Sequence, residues 1–86
     1  MYKIALSRAA EKEYIYLHRH DNVIFRKIRN ALYAIAEDPQ QGKPLKLTLK
    51  GKWSYRVGTY RVIYTIDGKV LTVHVIDIGH RREVYK

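Results

Sequence analysis

Arg56 and Arg61 flank the dipeptide Gly58-Thr59 in the run Trp53-Ser54-Tyr55-Arg56-Val57-Gly58-Thr59-Tyr60-Arg61-Val62-Ile63-Tyr64. A glycine followed by a polar residue, between alternating apolar positions, signals a two-residue hairpin turn of type II′. Such a turn pairs Val57 with Tyr60, and therefore Arg56 with Arg61. Directly opposed residues share one face of a sheet, so two guanidinium groups stand side by side, an arrangement that by itself destabilises the sheet. A chain that keeps it has a use for it, and the use that suits it is binding a polyanion. Arginine gives phosphate bidentate hydrogen bonds and stays charged.

A second turn, Asp67-Gly68, carries a type I′ signal. Read as two residues long, it sets Arg61 opposite His74, so that Arg56, Arg61 and His74 form one cross-sheet row, with Lys52 on the same face. Histidine titrates near neutral pH and can move a proton. No carboxylate cluster is expected on this face, which argues against a divalent-metal nuclease, and no metal or cofactor is expected. The chemistry left open is metal-free cleavage of RNA. There the 2′-hydroxyl attacks the adjacent phosphate, cations stabilise the pentavalent transition state, and a proton donor assists the leaving 5′-oxygen. DNA lacks that internal nucleophile.

The elements that must hold this row are legible in the periodicity. Tyr2 to Leu6 reads as a strand. Ser7 is placed to cap a helix over about Arg8 to His20, whose inner face carries Ala10, Tyr14 and Leu17. Asp21 or Asn22 caps a second helix with the stripe Ile24, Ile28, Ala31, Leu32 and Ile35, and Pro39 ends it. Gln40 to Lys52 is irregular, although Leu45, Leu47 and Leu49 alternate as in a short extended segment. Three strands are predicted near 52–57, 60–66 and 69–78. One face, with Trp53, Tyr55, Val57, Tyr60, Val62, Tyr64, Leu71, Val73 and Val75, is apolar and must meet the helices. The fold class is α+β: an N-terminal strand, a two-helix hairpin, then an antiparallel meander with the helices packed on one face. The chain forms one domain, 1–86, with no internal repeat.

Composition agrees with an anionic partner. The 86 residues carry 17 Lys+Arg against 8 Asp+Glu, a formal charge of +9, and eight tyrosines and one tryptophan accompany the charge and can stack on bases. Cysteine is absent, which excludes disulfides, thiol catalysis and Cys-based zinc sites. His18, His20, His74 and His80 show no zinc spacing, and His18 and His20 read as solvated helix residues. No apolar run approaches membrane-spanning length and no signal peptide is expected, so the expected compartment is the cytoplasm. Lys43, Lys46 and Lys50 read as general contacts to an RNA backbone.

The tail is Gly79-His80-Arg81-Arg82-Glu83-Val84-Tyr85-Lys86. With the Gly58-Thr59-Tyr60-Arg61-Val62-Ile63-Tyr64 run and the strand–helix–helix–meander order, it resembles the RelE/ParE toxin superfamily over nearly the whole chain. The resemblance implies the toxin of a type II toxin–antitoxin pair: an mRNA interferase that occupies the ribosomal A site and cuts the bound codon by 2′-hydroxyl attack. It implies transition-state stabilisation by Arg61, a leaving-group role for Arg81 and a nucleotide-positioning role for Tyr85, which as a bare residue reads equally well as a plug on the sheet. Arg56 falls where RelE-type members have a strand lysine, and Arg82 joins the RNA-binding cations. Those members carry a further lysine two residues earlier, as general base or its electrostatic surrogate. Ser54 stands there in this chain, which leaves Lys52, His80 and His74 as candidate bases. An acidic antitoxin and a ribosome carrying A-site mRNA are the implied partners. The gyrase-directed ParE branch shares the fold and is the competing reading.

Overall fold

The computed structural model describes residues 1–80. β1 (Lys3–Leu6) leads into α1 (Arg8–His20) and α2 (Asn22–Glu37). A single 3₁₀ turn, Pro39–Gln41, then precedes β2 (Lys43–Pro44), and β3 (Trp53–Val57), β4 (Tyr60–Asp67) and β5 (Thr72–His80) complete the sheet. The strand order is β1-β5-β4-β3-β2, with β1 parallel to β5 and every other pair antiparallel. The helical hairpin carries the chain from β1 at one edge of the sheet to β2 at the other, and both helices pack on the same face.

Each helix begins where a side chain accepts an otherwise unpaired N–H. Ser7 Oγ accepts from the Ala10 amide at 3.1 Å, and Asp21 Oδ1 accepts from the Ile24 amide at 3.2 Å. The expected stripes face inward: Ala10, Leu17, Ile28, Ala31, Leu32 and Ile35 are buried against Val57, Val62, Tyr64, Val73, Val75 and Ile78. Burying each of the larger aliphatic side chains contributes about 1.5–3 kcal/mol. Trp53 and Tyr60 pack on this cluster, as expected, and the Trp53 ring stacks on its cross-strand partner Tyr64 at 6.5 Å between centroids.

The first hairpin has the expected register, Val57 with Tyr60 and Arg56 with Arg61. Gly58 has φ 60°, and Thr59 is not among the residues with positive φ, which fits type II′ rather than I′.

The second hairpin corrects the sequence reading. Asp67 pairs with Thr72, so four residues, 68–71, make the loop. Asp67 Oδ1 accepts from the amides of Lys69 (3.0 Å) and Val70 (3.4 Å) and winds the chain into a longer turn, which Leu71 closes at φ 48°. Leu71 is consequently exposed rather than on the apolar face. The longer turn moves His74 opposite Thr65, while Gly79 takes the place opposite Arg61. His74 therefore lies four residues along the sheet from the Arg56–Arg61 row, about 13 Å at 3.3 Å per residue.

β5 also carries a bulge. Ile63 pairs with Asp77 but Tyr64 with Val75, leaving Ile76 as the extra residue. The bulge inverts the alternation, turning Asp77 to the outer face and Ile78, 2% exposed, into the core. Ser7 holds it in place: its hydroxyl donates to the Ile76 carbonyl at 2.5 Å and its amide to the Val75 carbonyl at 2.8 Å.

The alternating leucines do not make an extended segment. Leu47–Leu49 is a 3₁₀ turn, and Leu47, at φ 59°, is exposed. β2 is only two residues long, and Pro44, which has no N–H, blunts this edge of the sheet.

Candidate functional site

On the sheet face turned away from the helices, Arg56 and Arg61 occupy one cross-strand row. Separate anchors hold them. Arg61 Nη1 donates to Ser54 Oγ at 3.2 Å, and Arg56 Nε donates to the Gly58 carbonyl of its own turn at 3.4 Å. Ser54 is 3% exposed, so this hydroxyl is part of the wall that fixes Arg61. Arg56 stays exposed at the hairpin end while Arg61 is half-buried.

The two arginines line a cleft of about 330 Å³ together with Gln41, Gly42, Lys43, Ser54 and Tyr55. That is the lower end of the volume range of small-ligand sites. Three of these seven residues are cationic and none is acidic, so the cleft concentrates positive potential on any phosphate entering it. Among the described residues, no three His, Asp or Glu side chains come together where they could hold a metal ion.

The rim formed by residues 38–43 is tied down from both sides. Asp38 Oδ1 caps the 3₁₀ turn by accepting from the Gln40 amide at 3.2 Å, and Gln41 Nε2 donates to the Ala34 carbonyl at the end of α2. From the core, the Tyr64 hydroxyl donates to the Pro39 carbonyl at 2.6 Å and accepts from the Gly42 amide. Burial pushes the Tyr64 phenol up to about 12, against a smaller opposing effect of the Gly42 N–H. A Cβ at Gly42 would collide with the Tyr64 hydroxyl and crowd the Ser54 carbonyl, so glycine is required by close approach.

The structure brings together Arg56, Arg61 and Lys43, but not every residue singled out from the sequence. Lys52 precedes β3 and is not among the cleft residues, and Lys46 and Lys50 lie beyond β2 in the connecting segment. His74 is off the row. His80 pairs with Tyr60, next to the position opposite Arg61, and its ring meets the Tyr60 ring edge-on at 5.8 Å. Arg81, Arg82 and Tyr85 lie outside the described residues. The sequence singles out Lys43 as an RNA-contacting cation without its place beside the row, and gives no sign of Asp77 there. Lys43 was placed in an irregular loop rather than in the sheet, and Asp77, diagonal to Arg61 on the outer face, is put there by the bulge. Pro44 after Gly42-Lys43 was the available sign of a blunted edge strand.

The class so far defined is a small basic α+β domain whose paired arginines border a cleft with no acidic residue among its described lining. Residues 4–85 match the family described as ParE toxin of type II toxin–antitoxin system, parDE, and the chain belongs to that family. It is 33% identical over 76 residues to the toxin YoeB of Synechocystis, covering 83% of this chain and 88% of that one. It is 44% identical to the toxin RelG of Mycobacterium tuberculosis over 45 residues, 52% of each chain, so this match spans about half of RelG. The toxin–antitoxin complex RelBE2 of Mycobacterium tuberculosis contains a chain that superposes with a TM-score of 0.80 at 30% identity, covering 93% of this chain and 98% of that one.

Proposed function

We propose that this toxin is a ribosome-dependent endoribonuclease that cleaves mRNA in the A site without a metal ion. The observation that carries the reading is the Arg56–Arg61 pair, with Arg61 fixed by Ser54 at the wall of a cleft whose described lining is cationic. The similarity to YoeB and RelG supports it.

In the reaction, the 2′-oxygen bonds to the adjacent phosphorus and the bond from phosphorus to the 5′-oxygen breaks, leaving a 2′,3′-cyclic phosphate and a 5′-hydroxyl. The 2′-hydroxyl proton passes to a base, and a proton reaches the departing 5′-oxygen. Arg61 and Arg56 donate to the non-bridging oxygens as their charge grows, which is the preorganised electrostatic stabilisation that this chemistry requires. Arg81 takes the leaving-group side and Tyr85 positions the nucleotide, both assigned from the family resemblance. His80 stands opposite Tyr60 and shares its face of the sheet, away from Arg61, and His74 lies four residues along from the row, so neither of these histidines stands beside the arginines. A relative solved with its antitoxin supports an acidic antitoxin as partner for this chain of charge +9. Action on ribosomes places the protein in the cytoplasm.

The family description, ParE, favours a second reading, inhibition of DNA gyrase without nuclease activity. Induction of R56A, R61A and the double variant in cells separates the two. Growth arrest and mRNA fragmentation disappear together if the protein is a nuclease. Growth arrest that persists in the double variant overturns the nuclease reading in favour of the gyrase-directed one.

A further inference from the structure

We propose that Lys43 is a catalytic residue of this cleft: its ammonium group, carried on β2 directly opposite Ser54, supplies the third positive charge to the phosphate undergoing cleavage. The assignment rests on the ribonuclease reading given above.

Three observations carry it. Lys43 and Ser54 are cross-strand partners, and directly opposed residues share a face, so Lys43 stands on the face of Arg56 and Arg61, one strand further out. Lys43 lines the cleft with both arginines, whereas Lys46, Lys50 and Lys52 do not. Finally, a lysine on a two-residue edge strand would ordinarily be poorly placed, but this one follows a clamped segment. The Tyr64 hydroxyl holds both the Pro39 carbonyl and the Gly42 amide, and Gly42 lies so close to that hydroxyl and to the Ser54 carbonyl that a Cβ there would collide. Ser54, whose hydroxyl already receives Arg61 Nη1, serves the wall rather than the reacting atoms. The positive charge that RelE-type relatives place on β3 thus reaches the same cleft from the neighbouring strand.

The ammonium acts as a fixed positive charge beside the attacking oxygen and the non-bridging oxygens, and no proton transfer is assigned to it. Truncating such a group removes stabilisation present only in the transition state, so the saturated rate falls while binding is nearly retained.

The test is single-turnover cleavage of a defined mRNA on ribosomes with an empty A site, over a range of toxin concentrations, for wild type, K43A and K43R. The expected result is a roughly 100-fold lower saturated rate for K43A, by analogy with loss of one oxyanion donor. The half-saturating toxin concentration should stay within about threefold, since uniform binding is not what is lost. K43R should recover most of the rate. Lys43 is exposed, so an unchanged melting temperature verifies folding. If K43A reaches the wild-type rate at saturation, whether or not it needs more protein, the catalytic assignment is overturned while the ribonuclease reading stands. If the wild type itself cleaves nothing, both fall.

Discussion

Arg61 is bonded to Ser54 across the β3–β4 ladder, Nη1 to Oγ at 3.2 Å, with the serine almost fully buried. This bond turns a like-charged pair into a preorganised one. Arg56 and Arg61 face each other, yet one guanidinium is held by the wall and the other by the turn, so the pair is fixed before phosphate arrives. Replacing Arg61 by alanine should lower ribosomal cleavage by roughly 100- to 1,000-fold, the range for removing one preorganised donor at a developing negative charge. Lysine at 61 should restore little, because a point charge does not reproduce a bidentate fork. Single-turnover rates measure both.

Ser54→Ala should keep the fold and weaken catalysis, by letting the Arg61 side chain wander. The expected loss is about fivefold, one hydrogen bond's worth of about 1 kcal/mol, in the saturated rate. An unchanged rate in a folded variant would show that Arg61 needs no such anchor.

The Tyr64 clamp is testable through stability. Tyr64→Phe leaves the Pro39 carbonyl and the Gly42 amide without this partner in a buried setting, at a cost of about 1–3 kcal/mol. A domain of this size loses roughly 4–8 °C in melting temperature per kcal/mol. Gly42→Ala should be destabilising through a different cause, collision of the new Cβ with the Tyr64 hydroxyl, and combining it with Tyr64→Phe should relieve part of that cost.

The same phenol sets a pH dependence at the alkaline end. Its value is raised from 10.0 to about 12 in the folded protein, so the folded state keeps a proton that the unfolded chain gives up between those values. The stabilisation is whole below pH 10 and is lost as pH rises toward 12. Denaturant midpoints measured from pH 9 to 12 should fall for wild type more steeply than for Tyr64→Phe.

Ser7 joins a helix cap to the β5 bulge. Ser7→Ala removes the Ala10 cap and the bond to the Ile76 carbonyl, and should cost about 1–3 kcal/mol. The loss should appear in thermal melts, with amide exchange quickening around 75–78 as well as at the start of α1.

These features differ in how far the sequence exposes them. Helix α1, its Ser7 cap, the buried stripe of α2 and the Arg56–Arg61 register follow from local signals, a cap, a 3.6-residue period and a Gly-led turn, and the structure contains each. The second hairpin shows where local signals fail. Asp67-Gly68 has the composition of a two-residue turn, but the Asp67 carboxylate captures two following amides and lengthens the loop, which displaces His74 from the row. The β5 bulge depends on Ser7, 69 residues away in sequence, and no periodicity records a bond of that span. The parallel placement of β1 beside β5 lacks a turn signal for the same reason. Lys43 is legible as an RNA-contacting cation but not as part of the sheet, because a two-residue strand is too short to alternate and its position is set by Tyr64 and α2 rather than by its neighbours in sequence.

Whether the paired arginines act on mRNA held in the ribosome is decided by primer extension on a defined mRNA, with purified toxin and ribosomes carrying an empty A site or with no ribosomes. The expected product is a cut at a fixed position of the A-site codon, seen with ribosomes and not without them, and reduced at least roughly 100-fold in R61A. Absence of any cut, from folded wild-type protein that arrests growth in cells, would contradict it.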